Sequence, residues 1–155
     1  MLLSVASFAQ VEITKVDKVN PTDEIFMEMA VTAAQKSVAD GHKPEGAVVI
    51  IKGAWRSTGL PVNGKTPEVN AIEKSRSTSL SGASIYTINQ PTTAAMNAMK
   101  AANVDAVYFV NPAADVIAAG IYTEDDYNAD NLNSDGPIVE SYQIVYAPAS
   151  KLIKK

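Results

Sequence analysis

The chain has 155 residues, enough for one domain with a sizeable core. Its 46% apolar and 19% charged residues describe a globular protein and exclude a disordered one. A net charge of -4 and a pI near 4.9 argue against a nucleic-acid binder, and the lack of cysteine excludes disulfides and thiolate metal sites.

Met1 to Phe8 is apolar, and Ser7-Phe8-Ala9 before Gln10 places small residues on either side of Phe8, as a signal-peptidase site does. The stretch is too short to span a membrane and lacks a positively charged start. The pattern predicts residues 1–9 as the remnant of an export signal, 10–20 as a leader or edge strand, and 21–155 as a single domain. On that reading the mature chain is secreted or periplasmic. If Met1 to Ala9 is instead an apolar segment packed on the domain, the chain is cytoplasmic.

Val11 to Val19 alternates apolar and polar residues, as an edge strand or extended leader does. Asn20-Pro21-Thr22-Asp23-Glu24 is a helix start, with a capping side chain, an early proline and acids at the positive end. Phe26, Met29, Ala30, Ala33 and Ala34 share one face of that helix, which stops at Asp40-Gly41. Gly46 to Ile51 is a continuous apolar run, the sign of a strand buried on both faces. Lys52-Gly53 turns it into a second strand around Trp55 to Thr58, and Gly59 to Lys65 is a loop.

Thr66-Pro67-Glu68 opens a helix expected to run to about Thr78. Ser84 to Ile88 reads as a strand that breaks at Asn89-Gln90-Pro91, and an Ala/Met-rich helix follows with Pro91 in its first turn. A strand ending at a helix N-terminus is where α/β folds place chemistry, because free backbone N–H groups point into the crevice. Ala106 to Val110 is a buried strand, Ala113 to Ala119 a short helix, Glu124 to Gly136 an Asp/Asn-rich loop, and Ile138 to Tyr146 a last strand. This order predicts a sheet covered by helices on both faces.

Several strings, MEMAVTAAQKSVADG, PEGAVVIIKGA, TPEVNAIEKSR, GASIYTINQPTTAAM and VDAVYFV, resemble the cytidine deaminase-like superfamily over roughly Thr22 to Val110. The tail, with AAGIYTEDDY and PIVESYQIVYAP, resembles guanine-deaminase-type members. The resemblance implies a three-layer αβα fold with a mixed, roughly five-stranded sheet, and a homodimer. The family signature is H-x-E followed by P-C-x-x-C: His and two Cys bind zinc, the metal activates water and the Glu moves protons.

Matched to that signature, Asn70 stands at the zinc histidine and Ile72 at the glutamate. Thr92 and Ala95 stand at the two cysteines, and Pro61 at an asparagine that touches substrate. Amide, hydroxyl and methyl groups do not replace thiolates and an imidazole on zinc, and isoleucine moves no proton. The resemblance therefore implies a pseudoenzyme with no catalytic residue, no metal and no cofactor. Pro61, Asn70, Ile72, Thr92 and Ala95 would line a vestigial pocket. Two helix N-termini there suit a small polar or anionic ligand, unless the pocket is closed by its own side chains. The alternatives are a nucleoside- or nucleobase-deaminase-type hydrolase with a rebuilt site, and a purely structural homo-oligomeric module.

Other candidates read as structure. Glu68 and Glu73 are expected on a solvated face, with Glu68 pointing away from Asn70 and Glu73 one turn deeper. His42, the one histidine, lies in a loop, too little for a zinc site or a Ser-His triad. Asp126 to Pro137 begins like a calcium loop but has Asn131 for the glycine and Pro137 for the glutamate. Gly64-Lys65-Thr66 lacks the upstream glycine of a phosphate loop. Met27, Met29, Met96 and Met99 are expected in the core.

Overall fold

The computed structural model describes residues 11–154, so the expected export-signal remnant, residues 1–9, lies outside the described part. Six strands and five helices follow in chain order: β1 (Ile13–Lys15), α1 (Pro21–Ala39), β2 (Ala47–Ile51), β3 (Ala54–Gly59), α2 (Pro67–Ser75) and β4 (Ala83–Thr87). Then come α3 (Thr93–Ala101), β5 (Ala106–Phe109), α4 (Ala113–Ala118), two 3-10 turns (Glu124–Tyr127 and Ala129–Asn131), β6 (Glu140–Gln143) and α5 (Ala147–Ile153).

The strands form one mixed sheet in the order β1-β6-β5-β4-β2-β3. From β1 to β4 neighbours run parallel, while β2 is antiparallel to both β4 and β3. Alternation along β2 shows why it reads as continuously apolar. Ala47 and Val49 face a core shared with Ala71 of α2 and Ala95, Met96 and Met99 of α3. Val48 and Ile50 face a second core with Met27, Ala30, Val31 and Ala34 of α1 and Ala149 of α5. The strand is therefore buried on both faces, which makes the architecture three-layered.

Local chemistry sets the helix ends. Asn20 caps α1 by accepting from Asp23 N at 2.8 Å, Thr66 caps α2 by accepting from Val69 N, and Thr92 caps α3 by accepting from Ala95 N. Gly59, at the end of β3, is fixed by close approach: a Cβ there would lie 1.9 Å from the Pro67 carbonyl oxygen and 2.5 Å from Ala71 N. Only glycine lets the first turn of α2 come down onto the sheet in this way.

The structure departs from the sequence expectations at four places. The sheet has six strands rather than five, because Ile13–Lys15 pairs in parallel with β6. Helix α2 stops at Ser75, where Ser75 Oγ donates to the Ile72 carbonyl and Arg76 turns left-handed at φ 56°. Pro91 precedes the Thr92 cap instead of starting the helix. The last strand shrinks to Glu140–Gln143, and the chain beyond it forms α5, started by Pro148 and anchored by Ala149 and Ile153.

Candidate functional site

Helices α2 and α3 pack side by side on one face of the sheet, and their first turns flank a cleft of about 570 Å³. That is the size of a small-molecule site. Thr66 and Thr92, the two capping residues, line it with Glu45, Pro61, Lys65 and Tyr122. The Asp/Asn-rich segment closes the far wall with Asp125, Asp126 and Asn131. It is tied to α3 by Thr93 Oγ1 donating to the Asn128 carbonyl at 3.0 Å and Asn97 Nδ2 donating to the Asn131 carbonyl at 2.8 Å. A smaller cavity of about 20 Å³ beside Pro91 and Tyr127 has room for one water at most.

Beneath the cleft lies Glu68, the second residue of α2, only 2% exposed. The Gly59 approach explains its burial, since the turn that carries it rests against β3. Thr87 Oγ1 is 2.6 Å from Glu68 Oε2 and 3.2 Å from the Gly46 carbonyl oxygen. One hydroxyl hydrogen cannot serve two acceptors. A neutral Glu68 resolves the conflict by donating to Thr87, which donates to Gly46. Burial indeed pushes the Glu68 carboxyl above the usual carboxylate range, against weaker opposing contacts from Thr87, its own backbone and Thr66. Its other oxygen, Oε1, is buried and makes no hydrogen bond among the described residues. In a folded protein such an orphan calls for an explanation.

A second acid, Glu45, sits at the cleft wall and is 7% exposed. Tyr122 donates a hydrogen bond to its Oε1. Burial pushes the Glu45 carboxyl up to about 7; Tyr122 and Lys43 work against the rise, and Glu68 and Asp126 add to it. Burial, together with the nearby Glu68 and Glu45, raises the Tyr122 hydroxyl as well, so it stays a donor. Tyr127 packs edge-on to Tyr122 and donates to the Gln90 carbonyl at 2.6 Å. The cleft wall thus combines a buried acid, Glu45, a tyrosine, Tyr122, and two helix caps, Thr66 and Thr92.

The residues singled out from the sequence divide between cleft and core. Pro61 and Thr92 line the cleft. Asn70 is buried and donates through Nδ2 to the Leu60 and Val62 carbonyls, at 2.6 and 3.2 Å, fixing the loop before α2. Ile72 packs against the core, and Ala95 lies within it, fully buried. Glu68 overturns the expectation of a solvated acid, whereas Glu73 does face solvent, paired with Lys65 at 2.9 Å. Glu45 and Tyr122 are not among the residues that the sequence singles out. The one available signal is a lone charge, Glu45, abutting the buried run that follows it. His42 is exposed; Met27, Met96 and Met99 are buried as expected, whereas Met29 is only half-buried, packed against the core under α1. Among the described residues no three His, Cys, Asp or Glu side chains come together to hold a metal, and no helix is long and apolar enough to cross a membrane.

No protein-family model and no curated protein matches the chain. Solved structures do. Guanine deaminase from Bacillus subtilis is 25% identical over 83% of this chain and 87% of that one, with a TM-score of 0.64. A structure from work on tRNA:A34 deaminases, which perform A-to-I editing at the wobble position, is 18% identical over 84% of this chain and 99% of that one, with a TM-score of 0.64. A third, in complex with 2,6-diaminopurine, is 15% identical over 88% and 82%, with a TM-score of 0.67. The fold is therefore cytidine deaminase-like, as the sequence strings imply.

Proposed function

We propose that this chain is a small-molecule-binding protein on a deaminase-like scaffold, without deaminase turnover, and that its ligand is a polar, nucleobase-sized heterocycle. The observation that carries the reading is the cleft itself: about 570 Å³ between the first turns of α2 and α3, over a buried glutamate with one oxygen unpartnered. Glu45, a buried acid on the cleft wall, offers a carboxyl group to a ligand N–H. The complex of a similar fold with 2,6-diaminopurine supports a ligand of this size and polarity.

The metal step is what this donor set lacks. Read from the buried glutamate, the H-x-E signature falls on Thr66-Pro67-Glu68, one helical turn before Asn70-Ala71-Ile72. Thr66, Thr92 and Ala95 then occupy the three ligand positions. The Thr66 and Thr92 hydroxyls already accept from Val69 N and Ala95 N at 3.5 and 3.2 Å, and Ala95 offers only a methyl group. Two neutral hydroxyls and a methyl do not fit zinc, which takes thiolate, imidazole or carboxylate. Without an activated water, hydrolysis of the exocyclic C–N bond of an amino-substituted base has no nucleophile in this site.

A second reading, a deaminase-type hydrolase with a rebuilt site, is favoured by Glu68 and by the deaminases among the similar structures. A buried neutral carboxyl is a ready proton donor. The two readings part in one experiment. Purified chain is incubated with guanine, adenine, 2,6-diaminopurine and cytosine, and ammonia release is followed beside metal analysis. The binding reading expects no release and no stoichiometric metal. Release that disappears in Glu68→Gln establishes the hydrolase instead. The proposed assembly is a homodimer, which light scattering checks.

A further inference from the structure

We infer that the outer half of the sheet face beneath α1, where β5 and β6 carry stacked tyrosines beside the edge strand β1, docks an extended, arginine-bearing segment of a partner protein.

The tyrosine row is built by register. Tyr86 of β4 pairs with Tyr108 of β5, Tyr108 with Tyr142 of β6, and Tyr142 with Thr14 of β1. Residues so paired share one face of a sheet. It is the face that α1 packs on, since Tyr86 shares a core with Met27, Ala30 and Val31. The rings stack with centroids 4.6 and 4.9 Å apart and planes tilted by 5° and 18°. Phe26 closes the inner end of the row, its centroid 5.3 Å from that of Tyr86. The outer end is open. The next position there holds Thr14, exposed and without a ring. Helix α1 rests on β2, β3 and β4, and α5 chiefly on α1, which leaves Tyr108 and Tyr142 only half-buried. A planar group above Thr14 would continue the stack one strand spacing from Tyr142.

Charge decides what that group is. Glu140, two residues before Tyr142 on β6, projects from the same face. Glu12 lies between Val11 and Ile13, which line a cavity on the opposite face with Met96 and Phe109, so Glu12 turns to the tyrosine side. Both carboxylates are exposed and line one hollow, and among the described residues neither joins an ion pair. Lys100, the cation at that hollow, donates to the Pro137 carbonyl at 3.2 Å. Like charges on neighbouring strands repel, and a cation between them relieves the repulsion. A guanidinium is planar as well as cationic. It stacks on Tyr142 while its N–H fork meets Glu12 and Glu140. An ammonium group pairs with the acids but does not stack, and an anion is repelled.

The edge of the sheet supplies the rest of the contact. Strand β1 ends the sheet, so among the described residues its outer backbone groups face no other strand. A partner segment added there gains main-chain hydrogen bonds. An arginine opposite Thr14 on that segment reaches back over the threonine to Tyr142.

The test is fluorescence anisotropy of a labelled seven-residue peptide with arginine at alternate positions, and of its lysine counterpart, titrated with the full chain. The arginine peptide should bind at least tenfold tighter than the lysine one. Tyr142→Leu, and separately the pair Glu12→Gln with Glu140→Gln, should each weaken it at least tenfold. Equal affinity for the two peptides would reduce the effect to general charge attraction and overturn the inference, as would no binding or unchanged binding in Tyr142→Leu. Should Tyr142→Leu not fold, Thr14→Tyr fills the open position from the chain itself. Binding lost in Thr14→Tyr supports the stacking slot, and binding retained there overturns it.

Discussion

Replacing Glu45 by glutamine should make the protein more stable at neutral pH, because the fold disfavours the charge that glutamine removes. Its carboxyl moves from the ordinary 4.5 to about 7 on folding, chiefly through burial. Each pH unit between those two values is worth about 1.4 kcal/mol, so the linked free energy is about 3 kcal/mol. The sign follows from proton uptake. Between the two values the folded chain holds a proton that the unfolded chain has released, so stability falls as pH rises from 4.5 to 7. Glu68, also raised, acts in the same direction. Urea denaturation at pH 5, 6, 7 and 8 measures it. Wild type should lose about 2 to 3 kcal/mol more than Glu45→Gln across that range, with the curves converging at the acidic end. Parallel curves at all four values would show that Glu45 is not a buried, proton-holding acid and would remove the electrostatic basis of the site.

Three further outcomes follow from the packing. Gly59→Ala should cost about 3 kcal/mol or more, since its Cβ would sit 1.9 Å from a backbone oxygen of α2, and thermal unfolding reads it directly. Thr92→Ala removes the cap at Ala95 N and should cost about 1 kcal/mol by urea denaturation; a neutral effect would show that the cap is not formed. Tyr86→Phe removes the hydroxyl that donates to Asp23 at 2.5 Å and joins β4 to α1. It should cost about 1 to 2 kcal/mol by the same assay while leaving the stack of Tyr86, Tyr108 and Tyr142 in place.

Most of the sheet is legible because its strands carry their burial in their composition. The run from Gly46 to Ile51 alternates between two cores, so every position is apolar and the strand is plain in the sequence. The caps at Asn20, Thr66 and Thr92 are equally readable, since capping is local. Helix α5 is not. Its short sequence after Tyr146 has little apolar periodicity, and it is held by contact with α1. Glu68 escapes the sequence for a related reason. An acid in a first turn normally faces water, and here a glycine on another strand draws that turn onto the sheet.

Binding in the cleft without a metal is the central claim. Calorimetric titration of 2,6-diaminopurine, with and without excess EDTA, tests it most directly. Saturable binding of one molecule per chain, with the same affinity in both, is the result expected. Heat that vanishes in EDTA and returns with added zinc would contradict it.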